Sequence, residues 1–134
     1  MLYDSKSRET IMKTLTKLAM FAISGALLMP VSAMAGDNCK NVDITVQNLT
    51  GSEIKVKKIK HYDFDKSKWR GNFNVANKVS NNYQKTYNKN LQFVKNDQTR
   101  IAVYYYNFQT GNSIWAYGSS FVCNKNDNVT VRIN

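Results

Sequence analysis

The chain has 134 residues, 43% of them hydrophobic, and its 19 lysine and arginine side chains outnumber 9 acidic ones. Its two cysteines and single histidine match no zinc pattern, and it has no glycine-rich loop that could hold a phosphate. The positive charge does not indicate nucleic acid as a partner, since no recognition helix or RNP-type motif is present. The composition therefore indicates a small basic protein without a metal or other cofactor.

The N-terminal segment, residues 1–35, has the pattern of a secretory signal peptide. Lys13 and Lys17 precede an apolar run at residues 18–29, and small residues suited to a signal peptidase follow at 32–35. A helix needs about 20 apolar residues to span a bilayer, so this run is too short to be a membrane anchor. We expect export to the periplasm or to the outside of a bacterial cell.

Residues 36–134 are expected to form a single β-domain. They keep 15 positive and 7 negative side chains and are rich in Asn, Lys, Tyr and Val but poor in Ala and Leu, which favours strands and turns over helices. No repeat or linker interrupts them. Translation could begin at Met1 or at Met12, because residues 1–11 are polar and add nothing to a signal peptide.

Short segments of alternating apolar and polar residues follow one another along this domain. The middle part, residues 74–90, has no clear pattern. Turns every 8 to 12 residues predict a small antiparallel β-sandwich of seven or eight strands, with a small β-barrel as the alternative. The legible strands are residues 42–46, 53–62, 69–73 and 91–93, a hairpin at 100–121, and 129–133.

The segment KVKKIKH, residues 55–61, predicts a β-bulge. Ile54 and Val56 lie on one face of a strand, and Ile59 and His61 continue that face only if one residue is inserted at the adjacent lysines. The lysine side chains then share the other face. They could bind anionic lipid headgroups or an anionic polysaccharide, or simply form a solvated face or a protected edge strand. These lysines are Lys55, Lys57, Lys58 and Lys60.

The hairpin at residues 100–121 is apolar on both faces. With a turn near residues 110–111, Trp115 and Tyr117 are expected to lie beside Tyr105 and Val103, and Tyr104 and Tyr106 to lie with Ile114 and Ala116. One of these patches belongs to the core. The other is displayed for stacking on a sugar or docking a protein, unless the aromatic residues serve only cross-strand packing. The predicted binding residues in the hairpin are Tyr104, Tyr106, Trp115 and Tyr117.

The cysteines and the histidine have mainly structural interpretations. Cys39 and Cys123 are expected to form a disulfide that stabilises the fold by about 4 to 5 kcal/mol. His61 lies on the apolar side of its strand, which favours a packed core histidine over a catalytic one.

Three functions are compatible with the sequence. The first is a non-enzymatic binding module that recognises a protein or glycan at the cell envelope or outside the cell. The second is a membrane-active toxin or permeability factor that binds anionic lipid through its lysines. The third is a small hydrolase centred on His61, which requires this residue to be exposed beside a serine nucleophile.

Overall fold

The computed structural model describes residues 37–134, which form seven β-strands joined by turns. The predicted signal peptide, residues 1–35, lies outside the described residues. No described segment forms a helix with the length and apolarity required to cross a membrane. The strands are β1 (Cys39–Asn48), β2 (Ile54–Asp63), β3 (Lys68–Val79), β4 (Gln84–Leu91), β5 (Gln98–Asn107), β6 (Asn112–Val122) and β7 (Asn128–Ile133).

The strands form two sheets that pack face to face, one in the order β4-β1-β7 and the other in the order β3-β2-β5-β6. The predicted β-sandwich is confirmed, and the sheets do not close into the alternative barrel. Neighbouring strands are antiparallel except for β1 and β7, which pair in parallel. This pair departs from the antiparallel expectation, and it brings the two ends of the domain together in one sheet.

Alternating apolar residues on the central strands form the core between the sheets. Val42, Ile44 and Val46 of β1 are buried, as are Ile101 and Val103 of β5. In β2 the register with both neighbouring strands shifts between residues 56 and 58, so the predicted bulge is confirmed. The inserted residue explains how Ile54, Val56, Ile59 and His61 are all buried on one side of the strand.

Covalent and polar contacts join the two sheets. The predicted disulfide is confirmed: Cys39 of β1 is bonded to Cys123, which follows β6, and both residues are fully buried. Asn48 at the end of β1 is also buried, and its amide donates hydrogen bonds to the carbonyl oxygens of Ser52 and Val79 at 2.7 and 2.8 Å. Its oxygen accepts from the backbone and hydroxyl groups of Thr50, so the buried amide is well satisfied.

The middle segment without a clear pattern, residues 74–90, contains the end of β3 and most of β4. Each is an edge strand of its sheet. An edge strand is only partly covered and tolerates polar residues on both sides, which weakens the alternation that identifies a strand. Val75 and Tyr87 still face the core from these strands.

Candidate functional site

The β5–β6 hairpin has a register one residue away from the expected one. Tyr104 lies opposite Trp115, and Ala102 lies opposite Tyr117. Both predicted groupings are therefore wrong, because Ile114 and Ala116 lie opposite Tyr105 and Val103 instead.

The reason is the loop between the strands, residues 108–111. The side-chain oxygen of Asn107 accepts hydrogen bonds from the backbone N–H groups of Gln109 and Thr110, at 2.8 and 3.2 Å. The N–H of Gly111, at a φ of 70°, donates to the carbonyl of Asn107. These contacts close the loop around Asn107, so Asn107 pairs with Asn112.

This register places most of the predicted binding residues on the outer face of the four-stranded sheet. Side chains of directly opposed residues in an antiparallel pair lie on the same face. Lys55, Lys58 and Lys60 lie opposite Tyr106, Tyr104 and Ala102, which in turn lie opposite Ser113, Trp115 and Tyr117. We call this surface the aromatic–cationic face, and it consists of Lys55, Lys57, Lys58, Lys60, Tyr62, Trp69, Arg100, Ala102, Tyr104, Tyr106, Ser113, Trp115 and Tyr117.

Lysine ammonium groups and aromatic rings are packed against one another on this face. The Lys57 ammonium lies 5.1 Å from the ring centroid of Tyr106 and 5.8 Å from that of Tyr104, and it donates to the Ser113 hydroxyl. The Lys60 ammonium lies 5.5 Å from the Trp115 ring, which itself packs on Tyr104. Such cation–π contacts hold both partners in a defined geometry.

A second group on the same face is built around Arg100. Its guanidinium carbon lies 5.1 Å from the Tyr117 ring centroid and 5.9 Å from that of Trp69, and those two rings are 5.8 Å apart. Tyr62 packs edge-on against Trp69. The Nε atom of Arg100 is buried without a hydrogen-bond partner among the described residues. Since a buried polar group normally has a partner, this nitrogen is an unusual feature of the face.

Between the two groups lies an open cleft of about 190 Å³. Ala102 is almost fully buried and forms part of its lining, and the larger side chains around it are Lys60, Trp69, Trp115 and Tyr117. The cleft exists because position 102 carries only a methyl group while its neighbours carry large rings. Tyr117 is 53% exposed and Trp69 is 37% exposed, so the rings are accessible from solvent.

The aromatic–cationic face has a strong positive charge. Five of the residues that define it are basic and none is acidic, and the carboxylate of Glu53, which precedes β2, is paired with Lys78, the residue opposite Lys55. The ion pairs within residues 37–134 use other basic residues: Arg70 with Asp63, Lys78 with Glu53, and Lys95 with Asp37. An anion that approaches this face therefore meets no acidic competitor on it.

His61 has no exposed surface, as expected for a core histidine. Its Nε2 is 3.0 Å from the carbonyl oxygen of Gln92 and must donate to it, because a carbonyl can only accept. Its Nδ1 is buried without a partner. Burial lowers the pKa of His61 below its ordinary value, and the hydrogen bond to Gln92 raises it by less. This placement does not offer the exposed base that the hydrolase hypothesis requires.

Sequence reasoning missed five members of the face: Tyr62, Trp69, Arg100, Ala102 and Ser113. Trp69 and Arg100 lie next to turns, where no sequence pattern indicated a binding residue. Ala102 contributes to the site through its small size. Knowledge of how β2 pairs with β3 and β5 would have identified Tyr62, Trp69 and Arg100, because this pairing puts Tyr62 opposite both of the other residues. Within residues 37–134, no three His, Cys, Asp or Glu side chains lie close enough to hold a metal ion.

Comparisons with protein-family models, with characterised proteins and with solved structures found no match to this chain. The geometry of the aromatic–cationic face is therefore the basis for the function proposed below.

Proposed function

We propose that the protein is an exported, non-enzymatic module that binds a glycan at the bacterial cell envelope or outside the cell. The observation that carries this proposal is the cleft above Ala102, where Trp69, Trp115 and Tyr117 present aromatic surface on the outer face of the four-stranded sheet. A sugar ring has an apolar C–H face and a rim of hydroxyl groups. Aromatic rings with polar groups at their edges complement both parts.

The packing of the face also suits ligand binding. Tyr104 and Trp115 are only partly exposed, and each contacts a ring and a lysine ammonium on the face. Side chains that are already ordered lose little conformational entropy when a ligand binds. A weak ligand such as a sugar benefits most from this, because its contacts give a small free energy.

The composition of the face favours a glycan over a protein partner. The centre of a protein–protein interface is usually depleted in lysine, because a buried ammonium loses its hydration. Here Lys57, Lys58 and Lys60 lie next to the aromatic side chains. A glycan leaves much of the surface hydrated, so lysine is less costly beside it.

Anionic lipid is the other ligand that a basic aromatic surface could bind. An interfacial membrane protein inserts projecting apolar side chains below the headgroups. Tyr104, Tyr106 and Trp115 instead contact lysine ammonium groups, and Tyr104 and Trp115 also pack on each other. The membrane-active function therefore remains the alternative, to be separated by experiment.

Export is supported by the signal-peptide pattern at residues 1–35 and is compatible with the Cys39–Cys123 disulfide, since disulfides persist in oxidising compartments. Cell fractionation should recover a processed, oxidised protein in the periplasm or the medium.

The binding proposal is tested with the purified, disulfide-bonded protein on a panel of immobilised neutral and acidic polysaccharides. Trp115→Ala and Tyr117→Ala should each weaken binding about tenfold or more, because each removes one aromatic side of the cleft. Tyr83→Ala is the matched control, since Tyr83 is 69% exposed and lies outside the face. Melting temperatures measured in parallel identify any variant that fails to fold.

Failure to bind any polysaccharide would contradict the proposal. So would binding that is equally weakened by Tyr83→Ala. Association with anionic vesicles that depends on Trp115, in the absence of polysaccharide binding, would establish the membrane alternative instead.

A further inference from the structure

The cleft above Ala102 combines aromatic sides with nearby positive charge, and this combination defines the ligand more narrowly than the proposed function does. The inference rests on that function and concerns the sugar that the cleft accepts.

The size of the cleft indicates one ring of a larger ligand. Pockets that enclose a whole drug-sized molecule have volumes of at least about 300 Å³. The volume here is about 190 Å³, and Trp69, Trp115 and Tyr117 line it. A single sugar residue can therefore enter while its neighbours in the chain lie along the sheet.

The charge near the cleft is available to a ligand. Lys60 lines the cleft, and its ammonium forms no hydrogen bond or ion pair within residues 37–134 but lies over the Trp115 ring. Lys57, by comparison, donates to the Ser113 hydroxyl. Arg100 lies against Trp69 and Tyr117, which form the opposite side of the cleft, and its Nε is unpartnered. The cleft thus has one free ammonium in its lining and a second cation behind two of its rings.

We infer that the cleft binds one carboxylate-bearing sugar residue of an acidic polysaccharide, with the ring packed on Trp69, Trp115 and Tyr117 and the carboxylate at Lys60. The face carries no acidic side chain that would repel this ligand. A hydrogen bond from an ammonium to a carboxylate is stronger than one to a neutral group, so the acidic sugar is preferred over its neutral equivalent.

The preference is tested first by changing the ligand and not the protein. The probes are polygalacturonate, alginate and polysialic acid, each compared with its methyl-esterified form, which keeps the ring and removes the charge. Titration calorimetry should show at least one acidic probe binding about tenfold more tightly than its ester, with the difference shrinking at high salt. Equal affinity for acid and ester across all three pairs would overturn the inference.

Three variants then locate the carboxylate. Lys60→Gln should remove the preference for acid over ester, whereas the matched Lys85→Gln should keep it, since Lys85 is exposed on β4 in the other sheet and lies outside the face. Ala102→Val places a larger side chain in the cleft and should weaken both forms. If Lys60→Gln and Lys85→Gln reduce the preference equally, the overall charge of the protein is responsible and the assigned position is wrong.

The results separate this inference from the proposed function. If neutral and acidic polysaccharides bind equally and their binding depends on Trp115, the proposed glycan-binding function stands. The preference for an acidic sugar is then refuted. Absence of binding to every polysaccharide would refute both.

Discussion

Gly71 shows how closely the sequence is matched to the structure at a single residue. It lies in β3 with a φ of 67°, in the left-handed region that favours glycine. A Cβ atom at this position would lie 2.9 Å from the Phe73 ring and 3.0 Å from Nδ1 of His61. The position therefore needs glycine both for its backbone conformation and for the space beside the buried histidine.

Gly71→Ala is predicted to lower the free energy of unfolding by about 3 kcal/mol or more, from backbone strain and overpacking together. Gly51→Ala is the matched control, because Gly51 has a φ of 83° but an added Cβ would meet nothing within 4 Å. Gly51→Ala should lower the free energy of unfolding by about 1 kcal/mol, from backbone strain alone. Urea denaturation followed by tryptophan fluorescence measures both values, and equal losses would contradict the steric argument.

At the scale of the element, the loop of the β5–β6 hairpin decides which side chains reach the aromatic–cationic face. Asn107 is 7% exposed, and its side-chain oxygen also accepts a hydrogen bond from the Ser52 hydroxyl at 3.0 Å. Because side chains alternate along a strand, a shift by one residue would move Trp115 and Tyr117 off the face. The hydrogen bonds to the Asn107 side chain thus determine which residues lie on the aromatic–cationic face, although Asn107 itself is not part of it.

Asn107→Ala is predicted to destabilise the protein by about 2 kcal/mol, since it removes the acceptor of three part-buried hydrogen bonds, two from the loop and one from Ser52. It should also weaken polysaccharide binding by loosening the register. Asn112→Ala changes the exposed residue opposite it and should have little effect on either quantity. Chemical unfolding and calorimetry check the two effects. A stable Asn107→Ala protein would show that the strands alone set the register.

At the scale of the whole molecule, acid stability depends on the buried His61. With Nε2 donating to Gln92, protonation would place a second N–H at Nδ1, where no partner exists. Asp63 behaves differently: burial raises the pKa of its carboxyl, but hydrogen bonds from Arg70 and Lys66 outweigh burial and bring the pKa below 3.8. His61 and Asp63 therefore affect the stability of the folded protein in separate pH ranges.

The folded protein is predicted to lose stability as the pH falls below about 6.5, because the unfolded chain then binds a proton at His61 that the folded chain does not. This loss of stability ends once His61 in the folded protein is itself protonated. The contribution of Asp63 to the free energy of unfolding disappears only below pH 3.8. As the chain has one histidine, NMR titration of an untagged protein reports it directly. A native pKa at or above 6.5 would contradict this prediction.

The sequence by itself determined the all-β class, and it predicted the sandwich in preference to a barrel, the bulge at Lys57 and Lys58, and the disulfide. Each depends on a pattern visible in the sequence: alternation along a strand, a change of its phase, or the presence of only two cysteines in a small domain expected to be exported. The lysines and hairpin aromatics of the candidate site were also identified from such patterns.

Only the tertiary structure decided which hairpin face these aromatics share, and that Trp69, Arg100 and Ala102 belong to the same surface. Those features depend on pairing between strands distant in the chain, and on a loop closed by the side chain of Asn107. A pattern read along one strand gives the alternation of its side chains, but the register that aligns it with its neighbours is set by contacts between strands.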